Sequence, residues 1–178
     1  MGDDFTLRQA SDDDAAAIDA LHCAAFGPDE GPRIAHLAVQ LLDADTSPPT
    51  RSLVALSGGM LIGHVAFSPV WCADDTGWFG YLLAPLGVMP GHQKAGIGAR
   101  LVEYGIQRLA QAGVGAILVY GDPAYYGRFG FRGDLAAHYG APCALTHPFG
   151  WQALRLADDG GGVRQLSCVA PLQDPGLW

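Results

Sequence analysis

The stretch that decides the fold spans residues 88–111 and reads VMPGHQKAGIGARLVEYGIQRLAQ. It begins as the end of an apolar strand and finishes as an amphipathic helix with Ile97, Leu101, Ile106 and Leu109 on one face. Between the two lie a proline, a glutamine, the only lysine of the chain and Gly-Ile-Gly. Because glycine destabilises helices, its placement where a long helix begins needs a physical reason.

The start of this helix predicts a cradle for phosphate, formed by residues 93–99. The free N–H groups of a helix N-terminus and its positive dipole end favour anions. Gly96 and Gly98 remove Cβ atoms where a diphosphate would approach the main chain, Gln93 adds an amide and Lys94 adds a charge. A turn whose glycines serve only close packing of helix on strand is the alternative that these residues alone leave open.

Two common phosphate motifs are excluded. GIGARL lacks the third glycine of a dinucleotide fingerprint, and no acidic residue follows the next strand at a suitable distance. GHQKAGIG has no Lys-Ser or Lys-Thr after its second glycine, so it is not a nucleoside-triphosphate loop.

Outward from this stretch, the pattern predicts one mixed α/β domain over residues 1–178. Gly113 is predicted to cap the helix, and Ser57-Gly58-Gly59 to turn a hairpin. The other predicted elements begin with a strand over 5–10, a helix over 15–26 started by Ser11 and Asp12 to Asp14, a second helix over 33–44, hairpin strands within 51–71, and strands over 80–88 and 115–122. They are followed by a short helix over 123–130 that turns into a strand, a strand over 151–156, a turn at 158–162, and a strand or extended tail over 163–170.

Composition narrows the class of protein. The 178 residues carry a formal net charge of −8, which disfavours nucleic acid and anionic membranes and would suit a cationic small substrate. The acidic N-terminus is no secretory signal, and no segment approaches the roughly 20 apolar residues that span a bilayer. Scattered cysteines (Cys23, Cys72, Cys143 and Cys168) predict reduced, mostly buried thiols. We therefore expect a cytoplasmic protein, as a monomer or homodimer.

Three segments together resemble the GNAT superfamily of N-acetyltransferases. LAPLGVMPGHQKAGIGARLV is similar to its acetyl-CoA signature, with Gln93, Gly96 and Gly98 in the motif positions and Val88 and Pro90 at the strand end. GGMLIGHVAFSPV resembles the second and third strands, and GDPAYYGRFGF the closing segment of a bacterial branch. The resemblance spans roughly residues 5–131. Lys94 and Ala95 depart from it, because many members have Gly and then a basic residue there.

The resemblance implies the GNAT fold, with a mixed central sheet flanked by helices and a splayed strand pair that binds acetyl-CoA. Pro85 is expected where pairing of the strands stops. The Val88 N–H would face the thioester oxygen, and one such donor is worth roughly 3 kcal/mol of barrier. The implied cofactor-binding residues are Leu86, Gly87, Val88, Gln93, Lys94, Ala95, Gly96, Ile97, Gly98, Ala99 and Tyr126.

The resemblance also implies that Tyr126, five residues before Phe131, is the acid that protonates the departing thiolate. Tyr125 is expected to pack. The base is not readable, because GYLLAPLGV carries no carboxylate where many members have Glu. Candidates are His64, Tyr81, Glu30, Asp74 and Asp75, although a histidine on an apolar strand is more often a hydrogen-bonded core residue. No histidine spacing predicts a metal site.

The expected activity is direct acetyl transfer from acetyl-CoA to an amine of a small-molecule or protein acceptor. A polyamine, an amino-acid amine, an antibiotic and a protein N-terminus all stay open, because fold and cofactor do not determine the acceptor. Two other readings stay open as well. One is a silent or regulatory CoA-binding module, and the other is a nucleotide-binding domain with the same cradle.

Overall fold

A computed structural model describes residues 4–73 and 77–178. The helices are α1 (Ala15–Leu42), α2 (Ile97–Gln111), α3 (Pro123–Tyr126) and α4 (Gly133–Ala136). The strands are β1 (Thr6–Gln9), β2 (Arg51–Ser57), β3 (Met60–Cys72), β4 (Phe79–Val88), β5 (Ala116–Tyr120), β6 (Tyr139–Gly140), β7 (Trp151–Arg155) and β8 (Arg164–Cys168).

These elements pack into two compact units. The first unit contains the residues up to Phe67 together with Pro85–Gly105, and the second contains Ser68–Ala84 together with Ile106–Trp178. Strands β3 and β4 and helix α2 contribute residues to both units. The single domain expected over residues 1–178 stays a prediction.

In the first unit, β1, β2 and β3 form an antiparallel sheet. Strand β1 pairs with β2, and β2 pairs with β3 from Ser57 opposite Met60 to Arg51 opposite Phe67. The turn between β2 and β3 holds Gly58 and Gly59 at φ values of 55° and 81°, a conformation that glycine adopts without strain. The predicted hairpin is confirmed.

Helix α1 runs from residue 15 to residue 42 with one break in its helical backbone, at Gly27. Gly27 has φ 74° and ψ −177°, so α1 consists of two helical stretches joined at this residue. The prediction of two helices is therefore correct in kind, but the second stretch begins earlier than residue 33. Pro28 is the first residue of this stretch, where a missing N–H is tolerated best, and Pro32 follows one helical turn later.

The two faces of β3 receive different helices. An added Cβ at Gly63 would lie 2.8 Å from Ile97 and 2.9 Å from Leu101, so α2 lies directly against this face. Helix α1 covers the other face, where His64 contacts His22. The expected apolar face of α2 is confirmed at these positions.

The second unit adds parallel pairing. Strand β4 pairs with β5 in parallel, and β5 pairs with β7 antiparallel. The end of β3 pairs with β8, which also pairs with β6. The sheet is therefore mixed, as predicted, and the segment 163–170 forms a strand. The strand predicted after Gly130 is wrong, because Arg132 makes only an isolated bridge to Ala153 before α4 begins.

The end of α2 confirms the predicted glycine cap. Gly113 has φ 75°, and its N–H donates to the Ala110 carbonyl over 3.1 Å. The N–H of the buried Val114 donates to the Leu109 carbonyl over 3.2 Å. These two bonds satisfy the last carbonyls of the helix and turn the chain into β5.

All four cysteines are free thiols. Cys168 is buried, but Cys23, Cys72 and Cys143 are only half-buried, so the expectation of mostly buried thiols is met at one position. Within residues 4–73 and 77–178, none of the helices is both long and apolar enough to cross a membrane.

A carboxylate fixes the junction between β1 and α1. Both carboxylate oxygens of Asp14 accept from the Arg8 guanidinium, over 2.7 and 2.9 Å, and one of them also accepts from the Ser11 N–H over 2.8 Å. The hydrogen bonds from Arg8 are the main reason that the pKa of Asp14 falls from 3.8 to about 2. This helix start was predicted from Ser11 and the acidic run.

We predict that Asp14→Asn lowers the free energy of unfolding at pH 7 by about 1 kcal/mol, because Arg8 is half-exposed and the pair is partly screened. A carboxylate whose pKa is lowered by folding stabilises the protein above its ordinary pKa, and this contribution disappears as the pH falls through the folded-state value. Urea unfolding should therefore show the difference shrinking between pH 3.8 and about 2. The exposed Asp13→Asn is the control, and an equal loss in both variants would contradict the prediction.

Candidate functional site

Strand β4 extends beyond the residues that pair with β5. The ladder joins Tyr81–Leu83 to Ile117–Val119, whereas β4 continues to Val88. The N–H of Met89 donates to the Ile62 carbonyl of β3 over 3.0 Å. Because successive residues of a strand point their main-chain groups to opposite sides, those of Val88 point away from β3.

The turn after β4 leads into an open helix start. A 3₁₀ turn at Pro90–His92 is followed by Gly96, which has φ 82°. Apart from the chain neighbours of Gly96, none of the described residues comes within 4 Å of the position that its Cβ would take. The Arg100 N–H donates to the Gly96 carbonyl over 3.0 Å, so helix geometry leaves the preceding N–H groups without an intrahelical partner. Buried Ile97 anchors this start to the core.

The first unit brings together the predicted cofactor residues of β4 and α2. Gly87 and Ile97 are buried, whereas the others are exposed or half-buried: Leu86, Val88, Gln93, Lys94, Ala95, Gly96, Gly98 and Ala99. Tyr126 belongs to the second unit, at the end of α3.

Gln93 has a contact that the sequence did not predict. Its Nε2 donates to the Val88 carbonyl over 3.1 Å, so the side chain ties the turn back to the end of β4. An amide nitrogen carries two hydrogens, and the second can still serve the predicted contact with phosphate. Gln93 therefore links the cradle to the strand end beside it.

Lys94, which departs from the glycine of the GNAT signature, lies in a backbone conformation that glycine adopts without strain. Lys94 is exposed and has φ 63°, which places a non-glycine residue in the left-handed region. Such a residue stores strain of order 1–3 kcal/mol. The chain therefore keeps a charged side chain at a turn position that glycine would occupy without strain.

A surface cleft of about 680 Å³ lies beside the start of α2. Arg100, one helical turn after Gly96, contributes a positive charge to it, and Asp4 and Glu103 contribute negative charges. Arg100 was missed by the sequence reasoning, although its spacing of four residues from Gly96 places it on the same helix face. The remaining lining residues are Phe5, Leu7, Ala95, Gly96, Ala99 and Tyr104.

Tyr126 packs within the closing segment of the second unit. Asp122 caps α3 by accepting from the Ala124 N–H over 2.9 Å. The Tyr126 ring lies over Gly121, where an added Cβ would be 2.6 Å from the ring, and its centroid is 5.9 Å from that of Phe131. Burial is the main cause that raises the pKa of Tyr126 well above its ordinary value, and the phenol is protonated at neutral pH.

Tyr125 makes packing contacts, as expected. The Arg128 guanidinium lies 4.4 Å from the centroid of the Tyr125 ring, and Arg128 also donates to the Tyr125 carbonyl over 3.2 Å. Burial is the largest cause of the raised pKa of Tyr125. The contact with Arg128 is of the cation–π kind.

The candidates for the base differ in access. His64 is fully buried, and both its ring nitrogens have partners, so the reading as a hydrogen-bonded core residue is confirmed. Tyr81 is buried and Glu30 is exposed on α1. Asp74 and Asp75 lie outside the described residues. Within the described part of the chain, no group of three or more His, Cys, Asp or Glu side chains is arranged to hold a metal ion.

The family of the chain follows from a direct comparison. Residues 16–131, which include the end of β4, the cradle and the closing segment, match the model of the Acetyltransferase (GNAT) family. The chain belongs to the GNAT family. The resemblance in the three sequence segments is thereby confirmed, and this GNAT protein is an N-acetyltransferase.

Two curated relatives from Escherichia coli (strain K12) are named N-acetyltransferases. This GNAT chain is 38% identical over 149 residues to "Uncharacterized N-acetyltransferase YhbS", covering 82% of this chain and 84% of the relative. It is 33% identical over 145 residues to "Uncharacterized N-acetyltransferase YjhQ", covering 81% and 78%.

Two solved GNAT structures match the fold and contain the coenzyme. The Escherichia coli YhbS structure in complex with CoA has a TM-score of 0.79 and 31% identity, covering 94% of this chain and 91% of the other. A GNAT acetyltransferase from Brucella melitensis in complex with acetyl-CoA has a TM-score of 0.75 and 29% identity, covering 95% and 98%. The predicted GNAT fold is confirmed.

We predict that Gly96→Glu abolishes CoA binding, because the side chain would place bulk and negative charge in the open space at the helix start. The matched control is Gly59→Glu in the β2–β3 turn, where φ is 81° and the Cβ position is equally open. Both variants carry the same backbone strain and charge. Calorimetric titration with CoA should show binding for the control alone, and unchanged affinity of Gly96→Glu would refute the cradle.

Proposed function

We propose that this GNAT enzyme transfers the acetyl group of acetyl-CoA directly to an amine of its acceptor. The observation that supports the proposal most is the open main chain at Gly96, where β4 gives way to α2. Free N–H groups at a helix start and a missing Cβ suit the diphosphate of the coenzyme. The exposed Lys94 adds the only lysine charge of the chain.

In this proposal the end of β4 receives the thioester. Val88 points its main-chain groups away from β3, and its N–H would donate to the thioester oxygen as negative charge develops there. A preorganised donor of this kind is typically worth about 3 kcal/mol of barrier. Gln93, bonded to the Val88 carbonyl, would hold the next peptide group, between Val88 and Met89, and so restrain the strand end that carries the donor.

The reaction is a direct transfer. The amine nitrogen attacks the thioester carbon, a C–N bond forms and the C–S bond breaks. The amine loses one proton, and the departing thiolate gains one, so the products are an amide and CoA. Tyr126 is proposed as the acid, because its phenol is protonated at neutral pH and can donate to the thiolate as it forms. Buried His64 has no free nitrogen for the amine proton.

The acceptor is proposed to be a cationic amine. The net charge of −8 favours the approach of positive molecules over long range. An amine must be neutral when it attacks, so the enzyme has to remove or exclude the ammonium proton within the site.

The test is thiol release from acetyl-CoA across a panel of polyamines, amino-acid amines, aminoglycosides and peptides with a free N-terminus, combined with mass spectrometry of the products. We expect one class of amine to gain about 42 Da, because an acetyl group replaces one hydrogen, in step with the release of CoA. CoA binding without turnover of any amine would favour the silent CoA-binding module instead. Stabilisation by ATP and not by CoA would favour the nucleotide-binding domain.

We predict that Tyr126→Phe lowers kcat about 100-fold, the usual scale for a lost general acid, with little change in the KM for acetyl-CoA. Tyr125→Phe removes a hydroxyl from the neighbouring ring and should keep kcat within about twofold, because Tyr125 only packs. Steady-state kinetics on the amine found in the panel measure both variants. A fully active Tyr126→Phe would remove the acid assignment.

A further inference from the structure

A chain of three polar side chains crosses the interior of the first unit from β2 to α1. Ser52 Oγ lies 2.6 Å from His64 Nε2, and His64 Nδ1 lies 2.7 Å from His22 Nε2. Ser52 is 2% exposed, and both imidazoles are 0% exposed. We call these three residues the histidine chain.

The histidine chain is electrically neutral. Burial lowers the pKa of His22 to about 4, and it also lowers that of His64 well below its ordinary value. Two neutral imidazoles hold one ring hydrogen each, and their shared contact uses one of these. The arrangement therefore has only two consistent tautomers, which differ in the direction of every hydrogen bond.

One ring nitrogen of the histidine chain has no hydrogen-bond partner among the described residues, and it faces the end of β4. His22 Nδ1 is buried and has no hydrogen-bond partner among the described residues. A Cβ added to Gly87 would lie 2.8 Å from this nitrogen and 2.8 Å from the adjacent Cε1. Gly87 thus presents a Cα hydrogen where other residues carry a side chain, and the His22 ring edge occupies that space together with the Cδ2 methyl of Leu21, which lies 2.9 Å from the same position.

This contact selects between the two tautomers. If His22 carried its hydrogen on Nδ1, a buried N–H would point at a C–H group without an acceptor, which costs about 1–3 kcal/mol. If the hydrogen is on Nε2, the Nδ1 lone pair faces the weakly positive Cα hydrogen of Gly87. His22 then donates to His64, and His64 donates to Ser52. The contact with Gly87 therefore favours an unprotonated Nδ1.

We propose that the histidine chain is a positioning device for acetyl transfer, which holds the unprotonated Nδ1 edge of His22 against Gly87 and thereby fixes the peptide groups on either side of it. This inference rests on the proposed function, in which Val88 donates to the thioester oxygen. His22 acts through the main chain of β4 and is a positioning residue.

His22 links the buried histidine chain to the part of β4 that is proposed to bind the thioester. Gly87 lies between Leu86 and Val88, whose main-chain groups are the proposed contacts of the thioester arm. On the side towards β3, the strand end is held by Met89. The His22 ring supports the face of the same segment, and it is itself held through His64 to β2. A displacement of about 1 Å at such a site can lower a rate roughly 100-fold.

The first experiment is a double-mutant cycle on the contact. We expect His22→Ala to lower kcat about tenfold at saturating acetyl-CoA, with the KM for acetyl-CoA changed by less than about twofold. Gly87→Ala should cost about as much in the wild-type background, because its methyl group meets the ring. In the His22→Ala background it should cost several-fold less, because the one remaining close neighbour is the terminal Cδ2 of Leu21, 2.9 Å from the added Cβ, which can move into the space left by the ring.

The control separates positioning from stability. Leu41→Ala truncates a fully buried side chain in the second stretch of α1 and should lower Tm without lowering kcat. Equal losses of Tm with unchanged kcat in His22→Ala and Leu41→Ala would overturn the inference. Strictly additive effects of His22→Ala and Gly87→Ala on kcat would overturn it as well.

The second experiment does not depend on turnover. Nitrogen-15 NMR of the wild-type imidazoles near neutral pH should show His22 Nδ1 unprotonated and both Nε2 atoms protonated. Addition of CoA should shift the His22 Nδ1 signal more than either His64 signal. A protonated His22 Nδ1, or a signal unmoved at CoA saturation, would contradict the positioning role. Absence of CoA binding in wild-type calorimetry would instead refute the proposed function, so the two failures are distinguishable.

Discussion

Strand β4 stays bonded to β3 as far as the hydrogen bond from Met89 to Ile62, whereas its ladder with β5 ends at Leu83. This unequal pairing is the constraint on which the site depends. A strand with both edges paired would have no peptide groups to offer, and a strand with neither edge held would not keep them in one place. Helix α2 then begins at once, so unpaired strand and unpaired helix amides occur within a dozen residues of one another.

The rest of the first unit holds this segment in position. Gly63 allows α2 to lie directly on β3, and the buried Ile97 fixes the first turn of the helix. Gln93 ties the intervening turn to the strand end. On the opposite face, His22 occupies the space that a side chain at Gly87 would need. The two glycines thus serve packing, whereas Gly96 leaves open space, and the sequence alone does not distinguish these uses.

Much of the fold was predictable, because its signals are local. The hairpin turn, the cap at Gly113 and the helix start at Asp14 each depend on residues within a few positions of one another. Sequence periodicity and the GNAT segments supplied the remaining order. The strand expected after Gly130 failed because an apolar pattern does not reveal whether a neighbouring strand is available for pairing. The start of the second stretch of α1 was misplaced because the prolines near its start were read as a break.

The candidate site was predictable only where it is contiguous. The cradle follows from one stretch of sequence and its resemblance to the GNAT signature. Other contacts join residues that only folding brings together, so their spacing in the sequence does not predict them. These are the hydrogen bond from Gln93 to Val88 and the histidine chain. His64 could be recognised as a core residue, but its partners His22 and Ser52 could not. Arg100 could have been predicted as a lining residue, because it lies four residues, about one helical turn, after Gly96.

The left-handed turn at Lys94 also exposes a side-chain amine of the protein itself to acetylation. An enzyme that handles activated acetyl groups exposes its own nucleophiles to them, and this chain has a single side-chain ammonium. That group stands on the exposed turn at the mouth of the cradle. Among the side chains, Lys94 is therefore the one amine that acylating and amine-directed labelling reagents can modify. Because Lys94 is proposed to contact the coenzyme, bound CoA would slow its labelling.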